Sequence, residues 1–333
     1  IDPKHYMAIS MSYKIPVLHG LIDRQTIKEV IASPSFDRDS FEREYESKWS
    51  GSMKGSAVDK STMNKIRKIV QSDWHNKAKD EEFYVVSADM AKDGTANTAV
   101  VVIKVTPRDY NFLYQIVNAF TVDSTDYLVV SNELKLAVKN YEARLLVYDA
   151  NGIGAAIRDW LNKESVYNGE IMPGLGIINP PKDSAKDVKK YHPKDTICYE
   201  VKASTGRLAG EINQLFFSRL KSGTIKMLIP TKFALAKFGA KASFNKKPAT
   251  ERKRLLRPYQ FCDKLEEELL NLELVDVKDG ATQVLKVVRR NSKIEKDFFS
   301  AFSYGVYVAH HQYEIKYYTK KKQGNAADYI MYG

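Results

Sequence analysis

Three aspartates occupy positions where an acid is either costly or poised to act. Asp89 lies inside FYVVSADMAKDGTANTAVVV, residues 83–102, a run patterned as a buried strand. An ionised carboxylate taken out of water is expensive unless a cation or another partner compensates it. Asp149 ends the apolar run of ARLLVYDANG, just ahead of GIGAAIRDWLNK, and Asp297 flanks the apolar stripe of KIEKDFFSAFSYGVYVAHH. Carboxylates brought within a few ångström of one another repel and raise each other's pKa, and a divalent cation relieves that repulsion. The ligands are hard oxygens and no His or Cys is spaced to complete a zinc site, so Mg2+ or Mn2+ suits the set best.

Each acid also has a plainer reading. Asp89 could pair with a buried Lys or Arg, Asp149 could cap the helix that opens at Gly152, and Asp297 could be an ordinary first-turn acid. Asp93, in MAKDGTAN, reads first as a turn residue and second as a further metal ligand. His310 and His311 read as helix-surface or packing residues. The chemical reading rests on the acids acting together, which requires elements that bring them to one place.

Those elements are visible from residue 82 onward. FYVVSADMA, TAVVVIKVTP and NFLYQIVNAFTV are β-rich runs joined by turn-like KDGTAN and RDY, an antiparallel three-strand meander. A helix over STDYLVVSNELKLAVKNY follows, then the short strand at ARLLVYDANG and the helix at GIGAAIRDWLNK, the strand-to-helix unit of an α/β sheet. GIINPPK is a candidate strand, SAKDVKKYHPKD a polar loop, ASTGRLAGEINQLFFSRLKSG a helix, and TIKMLIP and TQVLKVVRR further apolar runs. This order, β, β, β, α, β, α, β, α, is that of a ribonuclease-H-like mixed sheet flanked by helices. In that fold the first strand sits centrally beside the fourth, so Asp89 and Asp149 meet at the sheet edge. On the late helix Asp297 flanks the apolar stripe Phe298, Ala301, Phe302, Gly305 and Ala309, and its own face continues with Ser300, Ala301 and Tyr304; small residues there would let the helix bring Asp297 to the sheet edge.

Charge points to the partner. With 52 Lys and Arg against 41 Asp and Glu, the 333-residue chain carries a formal charge of +11, which suggests a polyanion such as nucleic acid. Most of it is local: in residues 231–257, Lys232, Lys237, Lys241, Lys246, Lys247, Arg252, Lys253, Arg254 and Arg257 face only Glu251. Phe233, Phe238 and Phe244 are interleaved, a composition that grips a phosphate backbone while an apolar side packs inward; the plainer reading is a solvated basic loop. Two cysteines without metal-type spacing argue against a disulfide scaffold or zinc site, and no apolar run approaches the ~20 residues of a membrane span. GIG at residues 152–154 is no nucleotide fingerprint, and no GxxxxGK[ST] occurs.

Residues 1–80 have helix-start signals but little apolar periodicity and read as a connecting segment or the remnant of a preceding domain. Residues 81–318 form the ribonuclease-H-like domain with its basic insertion at 231–257, and residues 319–333 a flexible tail.

Four stretches, SFDRDSFEREYESKW, SADMAKDGTANTAVVV, VYDANGIGAAIRDWL and KDFFSAFSYGVYVAHHQYE, resemble the nuclease domain of the large terminase subunit of tailed bacteriophages over about residues 35–315. The last two are the more specific. The resemblance implies metal-binding, catalytic acids at Asp89, Asp149 and Asp297, two-metal hydrolysis of DNA, and a role in cutting concatemeric viral genomes during packaging in the host-cell cytoplasm. It further implies double-stranded DNA, the small terminase subunit and the portal or procapsid as partners, with no membrane. The family's ATPase motor is missing here, so the chain reads as the nuclease portion of such a subunit. The rival expectations are another ribonuclease-H-like nuclease, such as a Holliday-junction resolvase, and a non-catalytic DNA-binding module of a packaging motor.

Overall fold

The computed structural model describes residues 11–32, 36, 41, 44–47, 57–90, 97–151, 154–180, 195–203, 206–279 and 282–319. Asp93, the polar loop at 181–194, most of the SFDRDSFEREYESKW stretch and residues 320–333 of the tail lie outside them.

Short helices α1 (Lys14–Leu18) and α2 (Arg24–Ala32) come first, then α3 (Lys60–Ile66) and β1 (Arg67–Ile69). The meander follows as β2 (Phe83–Asp89), β3 (Thr98–Pro107) and β4 (Phe112–Val122). Its 10- and 11-residue strands are dominated by β-branched and aromatic residues, which favour the pleated, buried surface. Next come α4 (Tyr127–Tyr141), β5 (Leu145–Asp149) and α5 (Gly154–Asn162). A small hairpin of β6 (Ser165–Tyr167) and β7 (Glu170–Met172) leads to β8 (Leu175–Ile177) and β9 (Asp195–Val201). Helix α6 (Gly206–Lys221) returns the chain to β10 (Ile225–Leu228).

The main sheet has the order β1, β10, β4, β3, β2, β5, β9, β8. β2 pairs antiparallel with β3 and parallel with β5, so the first meander strand lies beside the strand after α4, the expected ribonuclease-H-like arrangement. The edge strand β1 pairs parallel with β10, and Met63 and Ile66 of α3 are buried in the same core. The sheet thus draws an element from the segment before residue 81. β9 is a second strand that its sequence, DTICYEV after a polar loop, does not announce.

Alternation along the strands divides the core in two. Phe83 and Val85 of β2, with Leu145 and Val147 of β5, face one layer built on α6 and the late helices. Tyr84, Val86 and Ala88, with Leu146 and Tyr148, face α4 and α5. Both faces are covered, which explains why β2 is buried from Phe83 to Ala88.

The basic segment is helical. It forms α7 (Thr231–Gly239), α8 (Ala242–Asn245) and the start of α9 (Ala249–Leu270). This replaces the loop reading, for a physical reason: Ala234 and Phe244 are buried and Phe238 packs on Phe244 and Tyr259, while the lysines turn outward. β11 (Leu272–Asp279) and β12 (Thr282–Arg289) then form a separate antiparallel hairpin.

The last long helix, α10 (Asp297–Ala309), crosses β2, β3 and β5 and passes into a π-helical turn at His310–Glu314. Its approach is close: the Ser87 hydroxyl donates to the Ala301 carbonyl at 2.6 Å, and Gly305 lies over Ser87 and Ile103. No helix among the described residues is long and apolar enough to cross a membrane.

Candidate active site at the sheet edge

The alternation that builds the core also aims the acids. Asp89 follows Ala88 and Asp149 follows Tyr148, and those two residues are register partners across the β2–β5 ladder. Both aspartates therefore end neighbouring parallel strands, about 4.8 Å apart in the ladder direction. By strand period they share the face of Val85, Ser87 and Val147, which is the face α10 covers. Asp297 opens α10. Sheet order and helix crossing thus bring all three predicted acids to one side of one edge.

Their electrostatics match that placement. Burial pushes the Asp89 carboxyl up to about 8, reinforced by Asp149 and then Asp297, while a hydrogen bond from Ser300 and the charge of Lys296 pull the other way. Asp149 is buried, and one of its oxygens accepts the Asn151 amide at 2.9 Å, so it also orders the turn leaving β5. Burial raises Asp297 too, followed by the negative charge of Glu295, with Lys264 and Arg289 opposing. Asp297 thus lies at the rim of the pair, where its strongest charged neighbours are Glu295 and Lys264. Tyr304, one turn beyond Ser300, is held protonated by burial and by Asp89 and Asp149.

Among the described residues no group of three or more His, Cys, Asp and Glu side chains stands close enough to enclose a metal ion. The acids border a common edge without closing on one point. Their donor chemistry still fits a hard divalent cation, since carboxylate and hydroxyl oxygens meet there and one carboxyl is destabilised by its own kind.

The sequence reading did not single out Glu268. It is fully buried on α9, and its Oε2 accepts the Phe299 amide of α10 at 2.8 Å. Its Oε1 has no hydrogen-bond partner among the described residues, and burial pushes its carboxyl up to about 8, with Asp297 adding to the shift. In the run KLEEELL nothing marks it apart from Glu266 and Glu267.

The predicted basic residues divide by exposure. Lys237, Lys241, Lys246, Lys253, Arg254 and Arg257 are exposed, whereas Lys247 and Arg252 are half-buried. Lys247 is paired with Glu251, and the Arg252 Nε has no hydrogen-bond partner among the described residues. Arg254 lies 4.8 Å from the ring centre of Trp74, and Arg257 5.5 Å from that of Phe261. Arg257 also reaches to 3.9 Å from Asp123, the residue after β4. Register places this on the acid side: Ala99 pairs with both Asp89 and Thr121, so Thr121 is level with Asp89 two strands away, about 10 Å. His310 bonds Glu314 and His311 packs on Tyr307, so both histidines serve the late helix.

No protein-family model and no curated protein matches the chain. Among solved structures it is similar to the large terminase nuclease of thermophilic phage G20c with bound magnesium, at 12% identity and a TM-score of 0.42, covering 77% of this chain and 98% of that one. It is similar to the nuclease domain of the large terminase subunit of bacterial virus Sf6 at 10% identity and a TM-score of 0.40, covering 75% and 98%. A human cytomegalovirus terminase nuclease domain, manganese-soaked and inhibitor-bound, shares 13% identity at a TM-score of 0.36, covering 76% and 94%.

Proposed function

We propose that the chain is a divalent-metal-dependent endodeoxyribonuclease of the terminase large-subunit type, which cuts concatemeric viral DNA during genome packaging in the host-cell cytoplasm. The observation that carries this reading is the shared edge. Two strand-end carboxylates and a helix-start carboxylate lie on one face, and the exposed Arg257 borders the same edge two strands away.

On this reading Asp89, Asp149 and Asp297 would together hold two Mg2+ or Mn2+ ions. Such ions would supply an activated water and stabilisation of the leaving 3′ oxygen. The protein's own groups set the stage. Ser300 donates to Asp89 and fixes its orientation. Tyr304, kept protonated, offers an O–H donor beside the two strand-end acids. Lys237, Lys241, Lys246, Lys253, Arg254 and Arg257, with Lys247 and Arg252 behind them, hold the duplex by its phosphates, giving weak sequence preference and steep salt dependence. Choice of cutting site would then come from partners, the small terminase subunit and the portal of the procapsid.

The test is cleavage of supercoiled plasmid by the purified chain with Mn2+, Mg2+ or EDTA, beside Asp149→Asn. The expected result is metal-dependent nicking and linearisation, abolished by EDTA and reduced at least 100-fold in the variant, with plasmid binding retained. Equal activity in wild type and variant, or two proteins that bind plasmid and cut nothing under any metal, would overturn the assignment.

A further inference from the structure

α9 runs from the basic surface to the start of α10. Arg257, Phe261, Lys264 and Glu268 recur at helical spacing along it, so they share one face. Phe261 packs against Phe298 with ring centres 5.1 Å apart, and Lys264 lies 5.7 Å from the centre of the Phe298 ring while pairing with Glu295 at 3.2 Å. Glu268 completes the row by taking the Phe299 amide. That amide belongs to the first turn of α10, two residues after Asp297, where N–H groups have no partner within the helix.

A fully buried glutamate whose other oxygen has no hydrogen bond is an expensive device for a helix cap, since a serine or threonine next to the helix would do the same work. Aromatic packing already anchors the helix: Phe298 and Phe299 are buried, and Phe299 meets Phe216 and Phe217. Packing of rings leaves freedom to slide and rotate that a hydrogen bond of fixed direction removes. We propose that Glu268 is a positioning residue: by holding the Phe299 amide it fixes the rotation of the first turn of α10, and through it the direction in which Asp297 meets Asp89 and Asp149. This rests on the metal-dependent reading above.

The experiment uses the full chain and Mn2+ as the probe. The wild type is compared with Glu268→Met, which fills the volume and removes the acceptor, Glu268→Gln, which keeps an acceptor, and Glu268→Asp, which withdraws it by one methylene. Two readouts are taken: the Mn2+ concentration that gives half of the metal-induced rise in Tm, and hydrogen exchange of the peptide spanning residues 295–303. Expected is a tenfold or greater increase in the Mn2+ half-point for Glu268→Met, with faster exchange in that peptide and a metal-free Tm close to wild type. Glu268→Gln should stay within about twofold.

A purely structural cap predicts the reverse, a lowered metal-free Tm with an unchanged Mn2+ half-point, and that outcome overturns the proposal. Should Glu268→Met fail to fold, Glu268→Asp decides: a half-point raised severalfold with faster exchange supports the role, and unchanged values refute it. A wild-type chain whose Tm ignores Mn2+ overturns the metal-dependent reading itself, and with it this role for Glu268.

Discussion

Gly305 is the spacer that lets the third acid reach the sheet, and adding one methyl group tests this. A Cβ at residue 305 would stand 2.5 Å from the Ile103 Cδ1, 2.9 Å from the Ser87 Cβ and 3.2 Å from the Ser87 Oγ. Ile103 is fully buried, so its methyl has no empty space to swing into. The Ser87 Cβ is attached directly to the central strand and cannot give way alone. Restoring 2.9 Å to the ordinary contact distance of 3.4 Å therefore requires α10 to retreat by about half an ångström. Overpacking of this kind costs ~1–3 kcal/mol, and replacing a helix-interior glycine by alanine returns ~1 kcal/mol. The cost wins by about 1 kcal/mol, a fall in Tm of about 2–4 °C. Asp297 lies eight residues earlier on the same helix and moves with it. A misplacement near 1 Å can cost ~100-fold in rate, so half of that predicts about a tenfold loss of metal-dependent nicking. Differential scanning fluorimetry and the plasmid assay on Gly305→Ala read both arms. A Tm equal to or above wild type would refute the close-contact argument; a lowered Tm with wild-type nicking would refute the coupling of helix position to the site.

Asp89 predicts opposite pH trends for stability and metal response. Its folded carboxyl is pushed up to about 8 from an ordinary 3.8, so through that window the native state holds a proton the unfolded chain has lost. The metal-free Tm should therefore fall as pH rises from about 4 to 8, while the Mn2+ half-point should drop from pH 6 to 8 because the ion needs the carboxylate. Asp89→Asn should make the fall of metal-free Tm with pH shallower and abolish the Mn2+ response, and Glu268→Gln removes the second group held up at about 8 in the same window; an unchanged Tm slope in Asp89→Asn would show that other groups titrate. At the basic surface, Arg254→Ala and Arg257→Ala should each weaken duplex binding and reduce the slope of log affinity against log salt by about one. Fluorescence anisotropy across salt concentrations measures this, and an unchanged slope would place DNA elsewhere.

What could be read from the sequence followed from periodicity. The meander, β5, α6 and α10 carry long or fully apolar patterns, and with them came the sheet order that places Asp89 beside Asp149. β1, at three residues, is too short to carry a pattern, and it is recognisable only because β10 pairs with it. The hairpin of β6 and β7 is mostly exposed, so no burial pattern marks it. In residues 231–257 charge hid the helices: Ala234, Phe238, Phe244 and Tyr259 supply the buried side, but so many lysines intervene that the apolar spacing is faint. Asp89 and Asp149 were conspicuous because each ends an apolar strand. Glu268 was invisible because an acid among acids on a charged helix gains its meaning only from what α10 presents to it.

That contrast bears on how the site is built. The two strand-end acids are placed by the ladder, which fixes them to within the register of β2 and β5. The third arrives on a helix, and a helix lying across a sheet has no hydrogen-bonded register to it. What holds α10 must come from elsewhere: the Ser87 bond to Ala301 and the close approach at Gly305 set its height over the sheet, and the face of α9 sets its first turn. The same α9 face begins at Arg257, one of the exposed cations at the acid edge. A load on the N-terminal half of α9 has to pass the interior Pro258 and then reaches Phe298, Phe299 and the first turn of α10 through Phe261, Lys264 and Glu268. Asp149 is placed by the sheet ladder instead. If one acid of the three answers to occupation of the basic surface, the packing makes it Asp297.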